Sequence, residues 1–106
     1  MRIPTVPKVE NMESPRTGNP VANQFIITTK EGRYFQSYKT VIAFIPNRRA
    51  YDDTCEVAHA KTILDVNAWD YSVTTSKYRR IFLGEGIEDT RRKIDSGEYE
   101  MEDLNA

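Results

Sequence analysis

The stretch QFIITTKEGRYFQSY, residues 24–38, decides the fold. Its first part, QFIITT (24–29), crowds β-branched and aromatic residues together, KEG (30–32) is a turn, and RYFQSY (33–38) returns with the same character. Side chains that are bulky at Cβ fit a pleated surface, so two such runs of near-equal length around a glycine predict an antiparallel hairpin. Gly32 is expected to supply the positive φ that a short loop with a bulge demands.

Working outward, TVIAFI (40–45) follows so closely that a meander is the simplest topology, and Pro46 with Asn47 ends that strand. Residues 47–60 show no clean period and stay open between a long loop, a short helix around Cys55, and a ragged strand pair; residues 61–66 read as a fourth strand. From Trp69 the pattern turns helical. Thr74, Thr75 and Ser76 are the candidate caps, Tyr78 and Phe82 share a face at i and i+4, and Gly84 closes the end in a left-handed conformation. A second helix is expected over 87–95, with Glu88 and Asp89 at its start, Arg91, Arg92 and Lys93 toward its end, and Gly97 after it, an order that suits the helix dipole. Its apolar face, Ile87 and Ile94, is thin enough to place it at the surface. The predicted class is α+β: an antiparallel β-meander of roughly three to four strands packed against two short C-terminal helices.

Both flanks read differently. Residues 1–20 carry Pro4, Pro7, Pro15 and Pro20 and are read as an extended or disordered arm, because each proline removes an amide donor and turns its predecessor away from helix. The ordered α+β domain is expected over 21–97. The acidic tail, 98–106, is expected to fray, although Tyr99 and Met101 alternate with acids as in an edge strand.

Composition narrows the functional classes. A chain of 106 residues suffices for one modest core and not for two. Its 15 Lys and Arg against 16 Asp and Glu leave a net charge of -1, which argues against coating DNA by bulk attraction. Cys55 stands alone, so the fold rests on packing without a disulfide, as suits a reducing cytoplasm. No run approaches the roughly 18 apolar residues that cross a bilayer. The prolines of MRIPTVPKVE fall where a signal peptide needs an apolar core, so neither export nor a membrane partner is expected.

Catalysis has little to work with. His59 stands four residues after Cys55 and would share a helical face with it, yet no third group orients the pair, and a buried thiol beside an exposed imidazole is the simpler reading. Asp52, Asp53 and Glu56 add donors nearby without the paired spacing of structural zinc. GEG (84–86) follows a helix rather than a strand and lacks the lysine and hydroxyl of a phosphate loop. No catalytic residue, metal or cofactor is expected, and the chain reads as a binding protein rather than an enzyme.

Binding surfaces are better supplied. WDYSVTTSKYRRIFLG (69–84) gathers the sole tryptophan, two tyrosines, a run of hydroxyl residues and three basic residues. Trp69, Tyr71, Lys77, Tyr78, Arg79 and Arg80, with Arg91, Arg92 and Lys93 of the second helix, are the candidate contacts to protein or nucleic acid. Six of these are cations that two helices would display near one side; the alternative is a solvated face balanced by Glu85, Glu88, Asp89 and Asp95. Trp69 and Tyr71 either anchor a partner or staple the helix to the sheet. Tyr34 and Tyr38 are a second candidate, as a stacking platform for unpaired bases or as packing under the helices.

The blocks NPVANQFII, FQSYKTVIA and WDYSVTTSKYRRIFLGE resemble a family of small, largely uncharacterised proteins encoded by phages and prophages. The likeness spans about 19–105, and residues 47–60 look like an insertion beyond the shorter pattern. The resemblance implies a phage-borne accessory protein acting in the host cytoplasm. By analogy with other small phage proteins, and from the aromatic and arginine content of residues 69–80, the expectation is a non-enzymatic protein whose partner is a host protein, with inhibition of a defence system such as CRISPR as its effect. It carries over no catalytic residue. The competing expectation is a nucleic-acid-binding accessory protein that uses the basic helical face, and exposed strand edges add a homodimer to the expected partners.

Overall fold

The computed structural model describes residues 7–47 and 61–106. Cys55, His59, Asp52, Asp53 and Glu56, and the three readings of the segment that holds them, lie outside the described residues. The elements run β1 (Lys8–Glu13), β2 (Pro20–Thr28), β3 (Gly32–Ser37), β4 (Thr40–Pro46), β5 (Ile63–Asp65), α1 (Val73–Leu83), α2 (Ile87–Ser96) and β6 (Glu100–Glu102).

The strands lie in the sheet in their sequence order. Neighbours from β1 to β5 are antiparallel, and β6 runs parallel to β5. A parallel pair needs a long crossover, and the two helices supply it. The class is α+β as the sequence implied, but among the described residues the sheet has six strands rather than three or four. The extra strands come from the segments read as arm and tail. Neither has a strong apolar signature of its own: β1 buries only Met12, and Met101 is the one apolar residue of β6. Their place is set by partners elsewhere, Ile27 opposite Val9 and Leu64 opposite Met101.

The hairpin forms where the sequence places it, with Ile26 opposite Phe35 and Ile27 opposite Tyr34. Gly32 has a φ of 157°, and a Cβ there would stand 2.3 Å from the Ile45 carbonyl oxygen and 2.8 Å from the Phe44 ring. Glycine is therefore required as much by the close approach of β4 as by the turn. Opposed residues of a sheet share a face, so Ile26, Phe35, Ala43, Leu64 and Met101 form one row, and Val9, Ile27, Tyr34, Phe44 and Ile63 form the other. The first row meets the helices: the Phe35 and Phe82 rings lie 5.8 Å apart, and Met12, Ile42, Ala68 and Tyr78 complete that core.

Helix α1 starts earlier than the hydroxyl run suggests. Ser72 is the cap, its Oγ accepting from the Thr75 N–H at 3.0 Å. Thr75 does not cap because it is buried, and its hydroxyl donates to Ser37 Oγ at 3.2 Å. Tyr78 and Phe82 are buried together as the i, i+4 spacing requires, and Gly84 and Gly97 close their helices in left-handed conformations, φ 72° and 83°. In α2 only Thr90 is buried.

Beyond the last β4–β5 pair the tail folds back. Asn105 presents its side-chain amide to Val41, Nδ2 donating to the carbonyl at 2.9 Å and Oδ1 accepting from the N–H at 2.7 Å. The same Nδ2 donates to Asp65 Oδ1 at 3.0 Å, and Asp65, fully buried, also accepts from the Leu104 and Asn67 N–H groups. The tail is thus tied to the sheet rather than frayed. Asn105→Ala removes all three amide contacts and is expected to lower stability by about 1–2 kcal/mol, read as a shift in the urea midpoint at constant slope.

Candidate functional site

The candidate contacts divide into those the fold consumes and those it leaves free. Arg79 is consumed. Its side chain is 1% exposed, and one guanidinium nitrogen, Nη1, donates to the Trp69 carbonyl at 2.7 Å, to Asp70 Oδ1 at 3.2 Å and to Ser76 Oγ at 3.3 Å. The guanidinium carbon lies 5.2 Å from the centre of the Trp69 ring, and the half-buried indole packs against the core. Trp69 and Arg79 therefore fasten the start of the helix to its own connector, and Tyr78 is buried beside them. Sequence reading set these three in a docking face. Their order of appearance along α1, with 75, 78, 79 and 82 all buried, shows an inward stripe wide enough to take in the arginine.

Other cations find acids within the chain. Asp70 lies between two arginines, with Arg91 Nη2 at 3.5 Å on its second oxygen, and Ser76 donates to the first at 2.8 Å. Partial burial works against the Asp70 carboxylate, but the hydrogen bonds from Ser76 and Arg79 and the charges of Arg79 and Arg91 outweigh it and hold its pKa below the usual range. Arg92 pairs with Asp89 at 2.7 Å on the exposed surface. Lys93 donates to Glu85 Oε1 at 2.7 Å and has Glu98 at 3.8 Å.

Glu85 is the hub of the helix connector. Its carboxylate, 8% exposed, also accepts from the Tyr99 hydroxyl and the Thr90 hydroxyl, each at 2.7 Å. Desolvation opposes the charge, and the three donors outweigh it, so its pKa is lowered. Lys93 is raised by its bond to Glu85, and burial with the bond to Glu85 pushes Tyr99 up to about 12. The basic face read from the sequence is thus largely neutralised from within.

Lys77 and Arg80 remain. Both are exposed, and among the described residues neither makes an ion pair. They lie on the outward stripe of α1 with Val73, 88% exposed, and Ile81, 41% exposed. Positions 73, 77, 80, 81 and 84 follow one another at helical spacing, opposite the buried stripe. Beside them runs a groove of about 510 Å³ lined by Pro15 of the β1–β2 turn, Lys77, Arg80, Ile81, Glu85 and the glycines 84 and 86. Tyr71, 51% exposed, stands just before the cap of the same helix. Sequence reading missed Val73, Ile81 and Pro15. The legible signal was two apolar residues eight apart on the helical face away from Tyr78 and Phe82.

The tyrosine platform is not assembled as a pair. Tyr34 packs its ring on Phe44 with centres 4.5 Å apart, while Tyr38 sits in the β3–β4 turn with φ 56° and is 55% exposed. Among the described residues no group of three or more His, Cys, Asp or Glu side chains is placed to hold a metal ion, and no helix is long and apolar enough to cross a membrane.

The model of a family of unknown function, DUF8033, matches residues 7–100. The chain belongs to DUF8033. Comparison with curated proteins and with solved structures gave no match. The DUF8033 match takes in β1, both helices and the first residue of β6, so the strand in the proline-rich flank is part of the family unit and the Asn105 clasp lies beyond it.

Two outcomes follow from these polar clusters. Asp70→Ala strands the buried Arg79 charge and is expected to cost about 3 kcal/mol, whereas Arg92→Ala, which breaks an exposed pair, should cost less than about 0.5 kcal/mol; paired urea titrations measure both. Tyr99, at about 12 in the fold and 10.0 unfolded, favours its protonated form in the folded state. Its contribution is complete below the unfolded value of 10.0 and is lost as pH rises toward about 12, so the stability difference between wild type and Tyr99→Phe should shrink across that window.

Proposed function

We propose that this chain is a non-enzymatic accessory protein of phage or prophage origin that docks on an acidic surface of a host protein through the outward face of α1, and that it inhibits a host defence system such as CRISPR by occupying that surface. One observation supports the reading most. Most cations of the two helices are satisfied inside the chain, while among the described residues Lys77 and Arg80 make no ion pair, Lys77 resting 5.4 Å from the centre of the Tyr78 ring, and both lie beside exposed Val73 and Ile81. Unspent charge next to exposed apolar surface is the composition of a recognition patch: the apolar atoms gain from leaving water, and the charges steer the encounter and set its partner. The face is supported from behind by the Arg79–Trp69–Asp70 lock and the Glu85 hub, so little order is lost on docking.

A nucleic-acid partner is the second reading. It keeps the same two cations with the exposed Arg91 and Arg92, each already shared with an acid, and has too few free charges for a strong phosphate footprint.

Immobilised protein in host lysate at physiological salt should retain a discrete host protein, and Lys77→Glu with Arg80→Glu should reduce that retention by about tenfold or more without lowering the melting temperature. Retention of nothing above background, or retention indifferent to the double substitution, overturns the proposal. Affinity for nucleic acid that falls steeply with salt would move the assignment to the second reading.

A further inference from the structure

The β1 edge carries a pattern that the α1 face does not explain. β2 flanks β1 on one side, and no described strand flanks it on the other. Such an edge offers unpaired N–H and C=O groups to another strand. On the face away from the helices, the row Ile63, Phe44, Tyr34, Ile27 crosses the sheet and ends at the edge in Val9, 59% exposed. Lys8 and Glu10 flank Val9 on the other face, 3.7 Å apart and mostly exposed, with side chains 72% and 56% accessible.

We propose that two copies of this chain join β1 to β1 antiparallel, about a twofold axis at Val9, into one continuous sheet. Residues directly opposed in an antiparallel pair share a face. If both sheets keep the same face up, the axis must pass through a residue, and each choice can be weighed by charge. An axis at Lys8 opposes two lysines, and an axis at Glu10 opposes two glutamates. An axis at Asn11 sets Val9 against the partner's Glu13 and Glu10 against the partner's Met12. Only the axis at Val9 opposes unlike charges, Lys8 to the partner's Glu10 and Glu10 to the partner's Lys8.

The same register lays Val9 against the partner's Val9, which covers the exposed end of the apolar row and runs it unbroken through both copies. Charge and hydrophobic pattern select one register independently, which a strand built only to repel neighbours would not do. The axis stands normal to the sheet, so the α1 faces of both copies lie on one side. This inference does not depend on the proposed function, and its test uses the protein alone.

Sedimentation equilibrium of the full chain over a wide concentration range should show a reversible dimer. Lys8→Glu and Glu10→Lys, each alone, turn both cross-strand pairs into like charges and should raise the dimer dissociation constant by roughly tenfold or more. The double variant, Lys8→Glu with Glu10→Lys, restores both pairs in the opposite sense and should dimerise again. An equal mixture of the two single variants should form mixed dimers, because an acidic strand then faces a basic one. Circular dichroism of each variant checks that β1 and its sheet remain folded. A wild type that is monomeric at every concentration, a dimer unmoved by the single substitutions, or single variants that stay apart when mixed overturns the proposal.

Discussion

A buried guanidinium holds the helical layer in place. Arg79 reaches from α1 back to the connector that precedes it, taking the Trp69 carbonyl, the Asp70 carboxylate and the Ser76 hydroxyl as acceptors under an indole ring. A charge so deep in the protein is costly unless acceptors meet it; Nη1 finds three, from both ends of the segment it fastens, while Nε is buried with no hydrogen-bond partner among the described residues. Fixing that segment fixes the start of α1, and with it the approach of Tyr78 and Phe82 to the sheet. Because Lys77 and Arg80, on the outward side of the same helix, play no part in this lock, their side chains stay at the surface.

The same economy governs the connector between the helices. Glu85 collects a lysine, a tyrosine and a threonine, so α1, α2 and the approach to β6 meet at one carboxylate. The acid that follows Gly84 is therefore spent on holding the crossover closed. Two such hubs explain how a chain with near-equal numbers of acids and bases can still leave a local cationic patch: Asp70 and Glu85 are committed to Arg79, Arg91 and Lys93, and no described acid pairs with Lys77 or Arg80.

Local rules were sufficient for much of this fold. The hairpin of β2 and β3, the end of β4 at Pro46, the two helices and their glycine stops all depend on residues close in sequence, and each appears where pattern and turn chemistry place it. What escaped was set by distant partners. Nothing within KVENME announces a strand without Ile27 across from Val9, and EME is a strand only because Leu64 lies beside Met101. The cap lies at Ser72 rather than at Thr74, Thr75 or Ser76, and distant partners take part in this: Ser37, far away in sequence, holds the Thr75 hydroxyl inward, and Ser76 donates to Asp70. At the candidate face, counting basic residues could not separate Arg79 from Arg80, although they are neighbours; their exposure depends on which side of α1 meets the sheet. Reading the apolar stripe together with its exceptions, Val73 and Ile81, would have come nearer.

The Asn105 clasp bears on how the molecule avoids unwanted company. β4 is seven residues long and β5 only three, so a length of β4 backbone has no described strand beside it on that flank. Asn105 supplies there, from one side chain, the donor and acceptor that a neighbouring strand would bring, and Val41 is closed to intruding chains. An exposed ladder of this kind invites amyloid-like stacking, and a lone amide is a compact safeguard against it.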